Sequence, residues 1–386
     1  MRILQSLIAS SGFAGLTWQN VVMFAVAGTL IYLAVRHRFE PLLLVPIGFG
    51  AILANLPFAF LSASNEAAAG SGTSMPQLMQ LVYDLGIRTE ILPPVIFLGV
   101  GALTDFRPLI SRPSTFLLGA GAQFGVFVAA MGAFSLLGFS PQEAASIGII
   151  GGADGPTAIF LTSMLAPHLL GAVAVAAYSY MALVPIIQPP VLRLLTTKKE
   201  RELPVPEVRE PSRAAVVLFP VVTGLVASLA VPTCAALVGM LMFGNLLRES
   251  GVTDRLSKTA GGSLVDIATM FIGLVVGSTM SGRSFLDSRT LLVLALGAVA
   301  FVFSTAGGIL LAKAMNLCLP ESRRFNPCIG AAGVSAVPMA ARVVQDFVSK
   351  ESGGKVNPLM AAMGPNVAGV LGTAVAAGVF LTLLKH

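Results

Sequence analysis

Charge is scarce in this chain of 386 residues: Asp, Glu, Lys and Arg together make up 11%, against roughly 25% in an ordinary soluble domain. That shortage excludes a soluble enzyme, a disordered chain and a nucleic-acid-binding domain. Cysteine is nearly absent. Cys234, Cys318 and Cys328 lie in or near apolar stretches with no CxxC or Cys/His spacing, which argues against zinc, haem and a disulfide framework. The histidines His37, His168 and His386 are too scattered for a metal site or a nucleophile with its base. Any chemistry must rest on carboxylate, hydroxyl, amide, phenol or guanidinium groups. The net charge of +6 comes from basic residues clustered between apolar runs, where they orient a membrane protein rather than bind nucleic acid.

What is abundant is long apolar sequence, with 55% hydrophobic residues. A membrane helix needs about 20 mostly apolar residues, and such runs fall near 18–35, 41–61, 91–105, 115–138, 167–194, 214–230, 232–247, 264–281, 290–315 and 358–384. Two further segments, 142–166 and 326–346, are apolar but broken. The expected fold class is all-α, a polytopic membrane protein of about ten spans plus two broken segments. Continuous runs of this length exclude a β-barrel. Met1 to Trp18 carries one Arg and no small-residue cleavage site, and reads as an uncleaved start. Ser62 to Ser74 reads as a polar loop. Thr196 to Arg213 is a charged, Pro-spaced linker containing Lys198, Lys199, Arg201, Arg209 and Arg213, and the positive-inside bias places it in the cytoplasm.

The linker, 196–213, separates an N-terminal half, 1–195, from a C-terminal half, 214–386, and the halves look related. Gly148, Gly151, Pro156 and Ala158 match Gly330, Gly333, Pro338 and Ala340, each pair 182 positions apart. Upstream, Gly101 and Arg107 pair with Gly277 and Arg283 at an offset of 176. Interrupted helices at corresponding positions of two halves mark an ion or substrate site near the bilayer midplane, often in an inverted repeat. We expect an inverted repeat, with the two breaks meeting head to head.

The first broken segment holds Asp154 among Gly151, Gly152, Gly155 and Pro156. A carboxylate at membrane depth needs a partner, and Gly and Pro free backbone carbonyls around it. The combination suits Na+ or H+ better than a soft metal; the alternative is an Asp that merely caps the following half-helix. The second segment supplies Asn326 and Ser335 as oxygen ligands, Gly330 and Gly333 for close approach or unwinding, and Arg342 one turn after Pro338. Ser335 is equally readable as a packing residue, and Arg342 as a side chain that snorkels to the interface. Pro365 and Asn366 lie inside the last apolar helix, where a kinked backbone and another amide oxygen are expected to face the interior. Tyr180, in AYSYMALVPIIQPP, is either an interface anchor or a proton relay, and Pro185, Pro189 and Pro190 are expected to break its helix before the linker.

GGADGPTAIF (Gly151–Phe160), VPIIQPPVLRLLTTKKER (Val184–Arg201) and NPCIGAAGVSAVPMAARV (Asn326–Val343) resemble signature stretches of the β subunit of the sodium-pumping, biotin-dependent decarboxylases acting on oxaloacetate, methylmalonyl-CoA or glutaconyl-CoA. The resemblance runs from the first span to the C-terminus. It implies a subunit of the bacterial inner membrane that takes carboxybiotin from a biotin-carrier partner, decarboxylates it with consumption of a proton, and exports Na+. It implies further partners: a carboxyltransferase α subunit, a small membrane γ-type subunit and two more copies in a homotrimer. The implied fold is two inverted repeats divided into a scaffold and a mobile core. The family's essential Asp falls on Asp154, its Tyr on Tyr180, and its Asn, Gly, Ser and Arg on Asn326, Gly330, Ser335 and Arg342; its late Asn falls on Asn366. By this resemblance Asp154, Tyr180, Ser335 and Arg342 carry the catalysis, Arg342 meets the carboxybiotin, and Asp154, Asn326, Gly330, Ser335 and Asn366 hold Na+. Cys328 stands where an aliphatic residue is expected.

Decarboxylating N-carboxybiotin needs a proton donor and an apolar pocket, and neither metal nor His. Lys198, Lys199 and Arg201 then either steer an acidic carrier domain or serve topology alone. The rival reading is a stand-alone secondary transporter, a Na+/organic-anion symporter or Na+/H+ antiporter, since fold does not fix function. A channel fits least, for want of a charged ring or a filter-like carbonyl motif.

Overall fold

A computed structural model describes residues 11–38, 40–57, 77–205, 209–321 and 324–385. Residues 1–10 of the expected start, the Ser62–Ser74 loop, His386 and the Arg283 side chain lie outside the described residues. The described residues form helices and turns without strands: α1 (Trp18–His37), α2 (Pro41–Ala54), α3 (Leu92–Leu103), α4 (Thr115–Leu137), α5 (Pro141–Gly148), α6 (Gly155–Leu165), α7 (Leu170–Leu195), α8 (Arg213–Ala230), α9 (Ala235–Glu249), α10 (Val265–Ser278), α11 (Ser288–Leu317), α12 (Met339–Glu351) and α13 (Leu359–Leu384), with short helical turns between them. Every apolar run expected to span contains a helix among the described residues. Among the described residues seven helices are long and apolar enough to cross a bilayer, eight if Gln80–Arg88 and α3, bent by 63°, count as one. The expected ten is loose because α2 and α9, at 14 and 15 residues, fall short of a crossing by themselves. The chain is a multi-pass membrane protein.

The helix contacts pair up. α2 packs on α10 and α3 on α9; α1 packs on α2 and α8 on α9; α4 packs on α11, α4 on α13 and α7 on α11. At the closest approaches the glycines repeat as well. A Cβ on Gly148 would meet Val126 and Ala130 of α4, and one on Gly330 would meet Gly308 and Ala312 of α11. The neighbours themselves stand 182 positions apart, the offset of the glycines. Gly151 faces Ala300 and Ser304 of α11, and Gly333 faces Leu118 and Ala122 of α4, with the same reciprocity. Gly101 lies against α9 and Gly277 against α2, so the pair at offset 176 also occupies matching contacts.

The two broken segments are hairpins hung from opposite ends of the bundle. The first starts at α5, where Ser140 and Glu143 form a capping box, and ends beyond α6 at His168, whose Nε2 lies 2.9 Å from Glu143. That pair sits at the N-terminal end of α7. The second starts at Asn326 and ends at Glu351, the last residue of α12, which receives Arg201 at 2.9 Å and Arg193 at 3.3 Å. Arg193 is at the C-terminal end of α7, a helix of 26 residues, so the two attachments are about 39 Å apart along its axis. α11 gives the same polarity: Arg289 near its start lies 3.9 Å from Glu143, and Lys313 near its end 3.1 Å from Glu200 of the linker.

Two expectations about this end of α7 are corrected. Pro185, Pro189 and Pro190 do not break the helix, which runs on to Leu195. Proline removes one amide donor per residue, and packing of buried Val184, Val191 and Leu192 against the second hairpin holds the backbone despite the loss. Arg201 is not free to steer a partner. It is buried, and its guanidinium donates to Thr196 Oγ1 and to the carbonyls of Arg193 and Thr196 besides pairing with Glu351. Lys198 and Lys199 are exposed.

Candidate functional site

At the tip of the first hairpin α5 tightens into a 3-10 turn, Ile149–Gly152, and the chain leaves it through Ala153 at φ 53°. A left-handed alanine is strained by about 1–2 kcal/mol, and this one is fully buried. Asp154 follows in extended conformation and caps α6, its Oδ1 accepting from Thr157 N at 3.2 Å. Capping therefore holds as one of its roles. It does not account for the site. Asp154 is 7% exposed and forms no ion pair among the described residues, so its charge lacks a cationic side chain to offset it.

Buried oxygen atoms without hydrogen-bond partners gather around this tip. They include Thr157 Oγ1 in the first turn of α6, Tyr178 OH, Ser304 Oγ and Asn366 Oδ1. Tyr178 is fully buried and its ring lies across Gly155, where a Cβ would come within 2.6 Å of the hydroxyl. An unpaired buried polar atom costs about 1–3 kcal/mol. Thr157 and Tyr178, which touch the Asp154 turn, put neutral hydroxyl oxygens beside one carboxylate, the donor type that suits a hard cation.

The second hairpin meets the first directly. Ser335 N donates to Gly152 O at 2.8 Å, joining the two tips. Ser335 Oγ lies 2.7 Å from Thr373 Oγ1, which in turn donates to Gln123 Oε1 at 3.2 Å. Asn366 Nδ2 donates to Val334 O at 2.7 Å, fixing the backbone beside Ser335 and leaving Oδ1 free. Gln188 Nε2 donates to Ala331 O at 2.8 Å. α7 and α13 thus hold the second tip by side-chain amides and a hydroxyl, and Gln123 of α4 supports it through Thr373.

The sequence-predicted residues divide by position. Asp154, Ser335 and Asn366 come together at the tips. Asn326 sits at the entrance of the second hairpin, its Oδ1 accepting from Cys328 N at 3.0 Å and its Nδ2 donating to Arg201 O at 2.8 Å. Both ends of that amide are committed, the oxygen to capping its own turn and the nitrogen to holding the linker. Gly330 is a backbone contact with α11. The Tyr180 hydroxyl donates to Leu294 O of α11; the phenol beside Asp154 is Tyr178. Arg342 is exposed on α12, without an ion pair among the described residues. Sequence reasoning passed over Tyr178, Thr157, Gln123 and Thr373. The only signal available was polar side chains inside apolar helices, a pattern shared by ordinary packing residues.

This arrangement defines a class, multi-pass membrane proteins whose site lies between two interrupted segments approaching from opposite ends of the bundle. The chain matches, over residues 19–384, the family described as the Na+-transporting oxaloacetate decarboxylase beta subunit, and it belongs to that family. It is 54% identical to the methylmalonyl-CoA decarboxylase subunit beta of Veillonella parvula, over 99% of this chain and 98% of the relative. It is 53% identical to the glutaconyl-CoA decarboxylase subunit beta of Acidaminococcus fermentans, over 99% and 97%. The oxaloacetate decarboxylase beta chain of Klebsiella pneumoniae is 46% identical over 99% of each. The protein is accordingly a membrane subunit of a multi-subunit, Na+-transporting decarboxylase.

Proposed function

We propose that this subunit decarboxylates carboxybiotin brought by a biotin-carrier partner and couples the step to Na+ export with uptake of a proton, in the bacterial inner membrane. The observation that carries the reading is the contact of the two hairpin tips at Ser335 and Gly152, beside a buried carboxylate with no cationic partner among the described residues. In this reading Asp154 alternates between Na+ and a proton, with Asn366, Ser335 and the Tyr178 hydroxyl completing the oxygen set. Asn326 and Gly330 act by fixing the second hairpin rather than by binding the ion. Arg342, exposed and unpaired, receives the carboxylate of carboxybiotin. The C–N bond to the ureido nitrogen then breaks, CO2 leaves, and the nitrogen takes the proton. Tyr180, anchored on Leu294, positions α7 against α11.

The matching contacts at an offset of 182 support an inverted repeat, 1–195 and 214–386 joined by the cytoplasmic linker 196–213. We assign α1–α3 and α8–α10 to the scaffold and the hairpins with α4, α7, α11 and α13 to the mobile core. Carrier docking falls on the linker face, where Arg342 and the exposed Lys198 and Lys199 are reached. A carboxyltransferase α subunit, a γ-type membrane subunit and two further copies of this chain complete the assembly. Purification from native membranes followed by an avidin blot tests the proposal: a co-purifying biotin protein is expected, and Na+-dependent activity in its absence would restore the stand-alone transporter.

A further inference from the structure

A cavity of about 840 Å³ opens on the linker face, away from the hairpin tips. Its walls come from the approach to α4, the end of α11, the entrance of the second hairpin and the linker. Arg112 and Arg324 line it together with Leu118, Met315, Ile329 and Cys318. Its size is that of a small-molecule site, and none of its lining residues belongs to the proposed reaction. Arg112 is the informative group. It is half-buried and pairs with no acid among the described residues; burial alone pushes its guanidinium below the ordinary value. Arg324 is better satisfied, lying 3.6 Å from Glu321 and donating to Asn316 O at 3.3 Å.

The cavity also borders surface that a bilayer would cover. Phe116 and Leu117 of α4 and Leu310 and Leu317 of α11 point outward from the spanning helices that flank it. Arg112 stands three residues before α4 begins, at the headgroup level, where cationic side chains meet anionic lipid. We propose that this cavity binds an anionic phospholipid, with Arg112 on the headgroup phosphate and an acyl chain against Leu118, Met315 and Ile329. A guanidinium matches phosphate geometry, and the apolar wall distinguishes a lipid from a free anion.

Cys318 provides the probe, because it is exposed within the cavity while Cys234 and Cys328 are buried. The purified full-length chain is placed in nanodiscs of phosphatidylcholine, with or without phosphatidylglycerol, and alkylation of Cys318 by a neutral maleimide is timed. Phosphatidylglycerol should slow alkylation about five-fold, the weight of one arginine at an anionic surface. Arg112→Gln should abolish the difference, whereas Arg324→Gln should keep most of it. Millimolar inorganic phosphate in phosphatidylcholine discs should slow nothing. Equal rates in the two discs, protection that survives Arg112→Gln, or protection by inorganic phosphate alone would each overturn the proposal.

Discussion

The two hairpins answer the same problem, a chain that turns back inside a membrane, in different ways. The first is helical on both sides of its break and places a carboxylate at the tip, capped onto the second half-helix through Thr157. The second enters as a 3-10 turn, Pro327–Gly333, passes through extended residues, and leaves as α12, whose outer face carries Arg342, Asp346 and Lys350. Only neutral oxygens stand at its tip. A shared backbone break can thus be kept while the buried charge is confined to one copy and an exposed charged face to the other. Duplicating the charge would place two carboxylates within one site, where like charges oppose each other's ionisation.

The sharpest test of that division is to remove the charge. Asp154→Asn keeps the capping acceptor, so the fold should survive with an unchanged thermal transition. Sodium uptake and Na+-stimulated decarboxylation by the reconstituted complex should fall at least about 100-fold, a barrier change of roughly 3 kcal/mol. Ser335→Ala, at the neutral tip, should instead raise the Na+ concentration for half-activation several-fold, about 1 kcal/mol for one neutral contact. Near-normal uptake by the Asn variant would break the comparison.

A second test concerns packing. A Cβ on Gly333 would meet Leu118 O at 2.6 Å, a backbone atom that cannot step aside, whereas one on Gly151 would stand 2.9 Å from Ser304 Oγ and 3.0 Å from Ala300. Gly333→Ala should cost about 3 kcal/mol and Gly151→Ala about 1 kcal/mol, the two ends of the overpacking range. Thermal unfolding in detergent reads the difference, and equal losses would mean that the two hairpins are held alike.

The phenols come next. With the proton relay assigned to Tyr178, the phenol beside Asp154, in place of Tyr180, Tyr178→Phe should slow turnover about ten-fold and change its pH dependence, since a relay contributes at least that much. Tyr180→Phe should lower stability by about 1 kcal/mol through the lost bond to Leu294, with the pH profile intact. A changed profile in Tyr180→Phe alone would return the relay to Tyr180.

The linker is clamped to the second hairpin through Glu351 and to α11 through Lys313, and the clamp should respond to acid. Burial pushes Glu351 up, but hydrogen bonds and charge from Arg201 and Arg193 outweigh it and hold the carboxyl below its ordinary value of 4.5. Lys313 and the Thr197 contacts likewise hold Glu200 below 4.5 against the opposing push of burial. Groups with lowered folded values contribute fully above the unfolded value and lose that contribution as pH falls through the folded one. Hydrogen exchange over 196–205, corrected for intrinsic rates, should stay flat above about pH 4.5 and rise below it. The smallest effect is expected for Lys198 and Lys199. Replacing both with Gln should raise the carrier's apparent KM about two-fold at low salt and leave it unchanged at high salt.

Composition and apolar run length alone determined that this chain is helical and multi-pass, because burying backbone in lipid leaves no cheaper solution than helix for uninterrupted apolar runs. The Gly and Pro spacing located both breaks and their relation, since residues that cannot continue a helix mark the break by their own backbone chemistry. Even the 182-residue offset was readable, although its packing partners, Val126 with Gly308 and Ala130 with Ala312, were not. Which oxygen atoms surround Asp154 was decided by tertiary structure. Tyr178 and Tyr180 are two positions apart on one helix, about 200° around its axis, and only the rotation of α7 in the bundle selects the one that faces the carboxylate. Asn326 and Arg201 looked like a ligand and a steering charge, yet long-range contacts commit both to fastening the linker. Backbone breaks are local properties of a sequence; a side chain's partner depends on neighbours that the fold brings from other elements, 32 positions away for Asn366 and Val334 and 125 for Asn326 and Arg201.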